Sequence, residues 1–486
     1  MPCMPSKLKR PTADVLARFA AIAGEKGVLT APADTQPYLQ EWRDLYFGRT
    51  PMVLRPANVA EVSAILKVAH EERIAIVPQG GNTGLVGGQI PFESGDEIVL
   101  CLDRMKAIRA ADPIGNTLIA EAGATLKSVQ DAAAAVGRLF PLSLGSEGSC
   151  QIGGNLATNA GGIHVLRYGT TRDLVLGIEA VFPGGEVWNG LKVLRKDNTG
   201  YDLKSLLIGS EGTLGVITAA SLKLFPRPAE VTSVFAGCAS LEAVAQLFSL
   251  AFEKAGPLLA AFELIPSVAV EFLVTHVPRM RNPLADAHPW YVLFEVASPL
   301  PEGLAERVAM ALLEDALEKG IVTDAAVAAS EAQARSFWCM RETISEVQKH
   351  EGGSIKHDVS VPVSAIPAFI AEATRTVERL IPGARPVPFG HYGDGNIHYN
   401  VSQPKGADKA AFLARWDEVA EAVHAIVLRF GGSISAEHGI GRMKAGVLES
   451  VKSPVELELM RRLKAAFDPR GILNPGKLLP DFTPIE

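Results

Sequence analysis

Apolar residues recur at helical spacing over residues 12–22, where Val15, Leu16, Phe19 and Ile22 fall on one side. A second amphipathic stretch follows Asn58, with Val59, Val62, Ile65, Leu66 and Ala69 on one face. Asn58 can cap that helix and Glu61 can close a capping box. The pattern then shortens. Residues 74–77, 98–102 and 118–122 are apolar runs of strand length, and Thr125 opens a helix through Leu126, Val129 and Ala133. Strands return at 175–182 and 186–188, around the turn Pro183-Gly184-Gly185. From residue 229 to about 430, strands at 231–236, 259–264 and 290–296 alternate with amphipathic helices at 304–317, 366–380 and 410–429. Pro367 falls in a first turn, where proline is tolerated. Ser453-Pro454-Val455-Glu456 reads as a capping box with proline at N1, and its helix runs through Leu459, Met460, Leu463 and Phe467 to stop before Pro469.

Composition narrows this picture. A chain of 486 residues exceeds one simple core, so two or three domains are expected. Its 47 basic and 54 acidic residues give a net charge of −7, which weighs against nucleic acid as a partner. Cys3, Cys101, Cys150, Cys238 and Cys339 are scattered and form no C-x-x-C pair, so neither a disulfide framework nor a zinc ribbon is expected. No run of 18 apolar residues predicts a transmembrane helix. The N-terminal charges precede no apolar signal core, so the expected location is cytoplasmic. The 45 glycines change the picture most, because they are clustered.

The first cluster is Pro78-Gln-Gly-Gly-Asn-Thr-Gly-Leu-Val-Gly-Gly88. Converging backbone N–H groups in such a loop form an anion nest suited to a pyrophosphate, and a tight connection is the plain alternative. It is neither a Walker loop nor a G-x-G-x-x-G turn. A second glycine-rich region runs from Pro141 through Ser146 and on from Ile152 to Gly162, where small residues and amides allow a flat ligand to approach. A third spans Gly209 to Ile217.

Near the C-terminus, His391-Tyr-Gly-Asp-Gly-Asn-Ile-His-Tyr-Asn400 places Asp394-Gly395 between extended runs. A type I′ turn there predicts that Gly393 faces Asn396, Tyr392 faces Ile397 and His391 faces His398. Directly opposed Cβ atoms lie about 4.5–5.5 Å apart. Two imidazoles so placed can share a metal, and Asn400 points to the same face as His398. Glu437 and His438 are adjacent within Ser435–Gly441, so in an extended segment one can bind metal while the other does different work. Two histidines and a carboxylate suit catalytic zinc or a similar ion, and two polar hairpin histidines are the plain alternative.

Residues 49–228 resemble the FAD-binding domain of the vanillyl-alcohol oxidase / p-cresol methylhydroxylase group. Leu194-Arg-Lys-Asp-Asn-Thr-Gly-Tyr-Asp-Leu-Lys204 with Ile208–Gly215 is similar to the D-2-hydroxyglutarate dehydrogenase branch of that group, and His391–His398, Ser435–Gly441 and Asn474-Pro-Gly-Lys477 match its C-terminal domain. The resemblance covers roughly residues 35–480. It implies a helical lead-in over residues 1–48, an α+β FAD-binding domain over 49–228, an α+β substrate (cap) domain over 229–430, and a segment over 431–486 that packs back on the FAD domain.

It also implies roles. Pro78, Gly80, Gly81, Asn82, Thr83 and Gly84 would hold the FAD pyrophosphate. Ser146, Gly153, Gly154, Asn155, Thr158, Asn159, Gly161 and Gly162 would line the flavin, which Gly212 and Ile217 close and Asn474 approaches. Some relatives attach FAD through a histidine of the first loop; residues 79–88 contain none, so dissociable FAD is expected. His164 stands where the group has arginine and receives no role. Arg341, Ser345 and Lys356 match carboxylate-binding positions, with Ser345 where threonine is expected. His391, His398 and Glu437 would hold a divalent metal, zinc first and manganese second. The metal would take the substrate hydroxyl and carboxylate, Asn400 would hydrogen-bond the substrate, and His438 would be the general base for hydride transfer to flavin N5. The implied reaction oxidises a D-2-hydroxy acid, D-2-hydroxyglutarate first, with D-lactate, D-malate and glycolate as alternatives. Electron transfer flavoprotein or a quinone-linked carrier would take the electrons, and a homodimer is compatible. A metal-dependent hydrolase is the reading from another class; it leaves the glycine clusters without a role.

Overall fold

The computed structural model describes residues 8–479, so Cys3 and most of the N-terminal segment lie outside the described residues. The chain forms two compact units. One contains the residues through Gly161, Gly169–Pro226 and the chain from His438 on; the other contains Gly162–Tyr168 and Arg227–Glu437.

The first unit holds two sheets. In the smaller, Val53–Leu54, Ile98–Cys101 and Ile76–Gln79 run parallel, with Val28–Leu29 antiparallel at the edge. The helix Val59–Glu72 packs Val62, Ile65, Leu66 and Ala69 into the same core as Ile76, Ile98 and Leu100. Asn58 caps it, accepting from the Glu61 N–H. The larger sheet is antiparallel, in the order Ile108–Asp112, Thr117–Glu121, Val216–Lys223, Val175–Val181, Val187–Gly190. The C-terminal helix Pro454–Phe467 begins with the expected Ser453/Glu456 capping box. Its Lys464 is buried and donates to Asp468, to the Thr213 carbonyl and to the Leu473 carbonyl. Leu473 then bridges to Ile76 and enters the core. The tail from His438 on is thereby part of this unit.

The second unit is built on one antiparallel sheet. Its order is Asp324–Val327, Glu230–Cys238, Trp290–Ser298, Leu259–Pro266, Arg385–His391, Asn396–Ser402, Ser354–Ile355, with Asp358–Ser360 also paired to Asn396–Ser402. Alternation along the strands sorts the side chains to two faces. Val234, Phe262, Leu264, Ile397 and Tyr399 pack under Leu241–Ala255, Leu304–Glu318, Ile366–Leu380 and Trp416–Arg429. Phe235, Ile265, Val387 and Phe389 face the other way, under Ser267–His276 and Glu331–Val347.

The second glycine region contains a helix, Ile152–Thr158, which includes Gly153 and Gly154. Two expectations change. The helix expected at 410–429 is two, Lys409–Leu413 and Trp416–Arg429. The hairpin register also differs: Phe389, not His391, faces His398. The connection is not a two-residue turn. Tyr392–Asp394 forms a turn of 3-10 helix, ended by Gly395 at φ 89°, and that wider loop moves the register by two residues.

Candidate active site

In the first unit the glycine clusters meet around the strand Ile76–Gln79 and the helix Ile152–Thr158. Gly80 approaches Gly154 and Gln151, and Gly212 abuts the Pro78 ring. A Cβ on Gly81 would run into the Ser149 carbonyl oxygen, so the chain can pass there only as glycine. Several expected ligand residues hold the loops themselves. Asn82 donates to the Pro37 and Gln40 carbonyls and accepts from Gln89. Thr158 donates to the Gly154 carbonyl, and the Asn159 side-chain oxygen accepts from the Arg172 N–H. The Ser146 carbonyl closes the turn to Ser149 and Cys150. Ile217 is buried in the strand Val216–Lys223. Asn474 donates to the Glu211 carbonyl, and Glu211 accepts from the Ile440 and Gly441 N–H groups at 2.7 Å each.

The side-chain oxygens of Gln79, Gln151, Asn155 and Asn474 are buried here without a hydrogen-bond partner. Buried acceptors are normally satisfied, so four at the glycine loops fit a bound group that donates hydrogen bonds. Gln79 and Gln151 were not expected; each borders a glycine cluster, and that was the available signal.

In the second unit, one face of the large sheet gathers the polar residues. Asp358 pairs directly with His398, which pairs with Phe389, and Asn400 pairs with Val387 on the same face. Glu437 reaches this face because its backbone N–H donates to Asp358 at 3.0 Å. Asp358, His398 and Glu437 each offer one ligand atom, and these lie within 4.8 Å of one another. His398 presents Nδ1 toward Asp358 at 3.8 Å and Nε2 toward Glu437 at 3.6 Å. Imidazole and carboxylate donors of this kind suit zinc or manganese. Gly162 belongs to this unit and donates its N–H to Glu437 at 3.1 Å. His438 follows Glu437 in the chain.

His391 lies one row over, opposite Glu263, with its ring centroid 5.7 Å from that of His398. Its Nδ1 meets Glu263 at 2.7 Å. The other Glu263 oxygen accepts from Arg341 Nε at 2.6 Å. Burial alone would push the Glu263 carboxyl up, but His391 and Arg341 hold it down at about 2. Burial alone would lower the His391 imidazole, and Glu263 holds it up at about 9. Arg341 comes from the helix Glu331–Val347 and lies over the Phe389 ring, 5.0 Å from its centroid. One turn on, the Ser345 carbonyl and hydroxyl accept from Lys356 Nζ at 2.8 and 3.3 Å. Asp358 and Glu263 escaped the sequence reading. Their signal was a carboxylate within a strand, in Glu263's case among wholly apolar neighbours.

Comparison with known proteins places this architecture. The family of FAD linked oxidases, C-terminal domain, matches residues 227–478, and the FAD binding domain family matches residues 50–190. The D-2-hydroxyglutarate dehydrogenase, mitochondrial, of Arabidopsis thaliana is 39% identical over 95% of this chain and 81% of its own length; that of Bos taurus is 40% identical over 93% and 81%. The chain belongs to the D-2-hydroxyglutarate dehydrogenase family of FAD-linked oxidases. Its fold is that of p-cresol methylhydroxylase, with a TM-score of 0.77 at 16% identity over 98% of each chain. Family membership makes the FAD-binding domain and the oxidoreductase class firm. It also overturns the expected cytoplasmic location: both relatives are named mitochondrial. No helix among the described residues is long and apolar enough to cross a membrane.

Proposed function

We propose that the protein oxidises a D-2-hydroxy acid, D-2-hydroxyglutarate first, to the corresponding 2-oxo acid. The observation that carries this reading is a buried guanidinium, Arg341, on the same sheet face as the donors Asp358, His398 and Glu437. A dicarboxylate needs both a charge clamp and a polarising site.

Arg341 takes the distal carboxylate through its terminal nitrogens, since Nε is bound to Glu263. Lys356 adds a point charge and Ser345 a hydroxyl, held together by their mutual bond. His391, His398 and Glu437 would hold the divalent ion, zinc first and manganese second, with Asp358 beside His398 as a further donor. Asn400, buried on that face, hydrogen-bonds the substrate. His438 accepts the C2 hydroxyl proton. In the first unit, Pro78–Gly84 would cradle the pyrophosphate, and Gly153, Gly154, Asn155 and Gly161 would line the flavin, with Asn474 completing the site. When bound, the flavin accepts the hydride and the ion lowers the hydroxyl pKa. The absence of histidine from residues 79–88 supports non-covalent FAD. Electron transfer flavoprotein or a quinone-linked carrier would take the electrons, and a homodimer is compatible with this reading.

The test is dye-linked turnover by the yellow protein with D-2-hydroxyglutarate, D-malate, D-lactate and glycolate, before and after chelation. Preference for a dicarboxylate, lost on chelation and restored by zinc or manganese, is expected. Preference for lactate or glycolate sinks the clamp assignment, and indifference to chelator sinks the metal assignment.

A further inference from the structure

The strand Leu259–Pro266 is buried throughout, and Glu263 is the charged residue in it. Only partners of opposite charge make such a position tolerable. Glu263 is 1% exposed and has two: Arg341 Nε at 2.6 Å on one oxygen and His391 Nδ1 at 2.7 Å on the other. The partners come from different parts of the fold. Arg341 is on the helix Glu331–Val347, while His391 ends the neighbouring strand Arg385–His391, in register with Glu263. Phe389 closes the frame, under the Arg341 guanidinium and beside the His398 ring, centroids 5.2 Å apart.

We infer that Glu263 is a positioning residue that joins the substrate-carboxylate clamp to the metal ligands, so that one carboxylate sets both. This rests on the roles proposed above for Arg341 and His391. Bonding at His391 Nδ1 fixes the ring and makes Nε2 the atom that would take a metal, in exchange for its proton. Bonding at Arg341 Nε leaves the terminal nitrogens of the guanidinium to a carboxylate. Glu263 sets a negative charge between the Arg341 guanidinium and the His391 ring, where it would offset the repulsion between the guanidinium and a bound dication. A glutamine here keeps the shape but offers one acceptor instead of two and no charge.

The experiment uses FAD-loaded wild-type protein and Glu263→Gln. Zinc affinity is measured by competition with a chromophoric chelator, and KM is measured at saturating zinc for D-2-hydroxyglutarate and for D-lactate, which lacks the distal carboxylate. Zinc affinity should fall about 10–100-fold in the variant. KM for D-2-hydroxyglutarate should rise about tenfold, with that for D-lactate changed far less. Wild-type zinc affinity with an unchanged ratio of the two KM values overturns the inference. So does a lowered unfolding midpoint that shifts both substrates equally, which is what a merely structural carboxylate would give. If the wild-type protein binds no zinc, the metal reading itself has failed, a separate outcome. Should Glu263→Gln not fold, Glu263→Asp retains the charge but withdraws it by one methylene; zinc affinity equal to wild type in that variant overturns the inference equally.

Discussion

At Gly154 a single added methyl group tests folding and cofactor binding separately. It lies inside the helix Ile152–Thr158, and a Cβ built on it meets nothing within 4 Å. Alanine in a helix interior is favoured over glycine by about 1 kcal/mol. Gly154→Ala should therefore leave the cofactor-free protein equally or more stable, while the methyl enters the space assigned to the flavin. The expected result is an unfolding midpoint at or above wild type with a lower FAD content, read as the ratio of visible to ultraviolet absorbance. A variant that is yellow at full stoichiometry would remove Gly154 from the flavin lining. Glu211 acts at the same scale on another segment. Its carboxylate holds the N–H groups of Ile440 and Gly441, two and three residues beyond His438. Glu211→Gln keeps one acceptor of two, so kcat should fall by one to two orders of magnitude while FAD content stays constant; an unchanged kcat would show that the loop needs no such anchor.

At the scale of elements, the ends of helices were open to the sequence and the contacts between distant strands were not. Asn58 and Ser453 cap as expected, because a cap involves neighbours only three residues apart, and Thr12 and Thr125, read as the first residues of their helices, are the caps of those helices. The hairpin carrying the two histidines was recognisable from Asp394-Gly395, but its register depended on how the loop Tyr392–Asp394 coiled, which a turn rule does not determine. Glu263 and His391 stand 128 residues apart, and nothing local in either predicts that they bond. The sequence reading has no helix at Glu331–Val347; within it, Arg341 and Ser345 stand out by resemblance alone. The tail offers a prediction in turn. Lys477 and Glu97 are both almost wholly buried and pair at 3.5 Å, with the Lys477 ammonium over the Phe92 ring. Lys477→Met leaves the buried Glu97 carboxylate without its cation, with the Phe92 N–H still donating to its other oxygen, and should cost roughly 3–5 kcal/mol in denaturant unfolding. Burial pulls the Lys477 pKa down from 10.5 to about 8, against the pull of Glu97. Between those two values the unfolded chain holds the extra proton, so this residue's contribution favours the folded state more as pH rises. The gap between wild type and variant should widen from pH 7.5 to 9.5, and a constant gap would refute the assignment.

At the scale of the whole molecule, the proposed site residues divide between the two units. The glycine loops through Gly161, Gly212 and Asn474 belong to one; Gly162, Asp358, His398 and Glu437 belong to the other. Chelation should abolish turnover yet leave the flavin spectrum intact, and loss of colour with the metal would mean that the two groups depend on each other for binding.

The route of the chain carries one more consequence. The FAD-binding unit takes its last pieces from beyond Glu437, including the buried Lys464 and the Leu473 bridge to Ile76, whereas the other unit is nearly continuous from Arg227 to Glu437. During synthesis, then, the middle of the protein is the first part that can finish folding. The N-terminal unit is completed only when the residues from His438 on have left the ribosome.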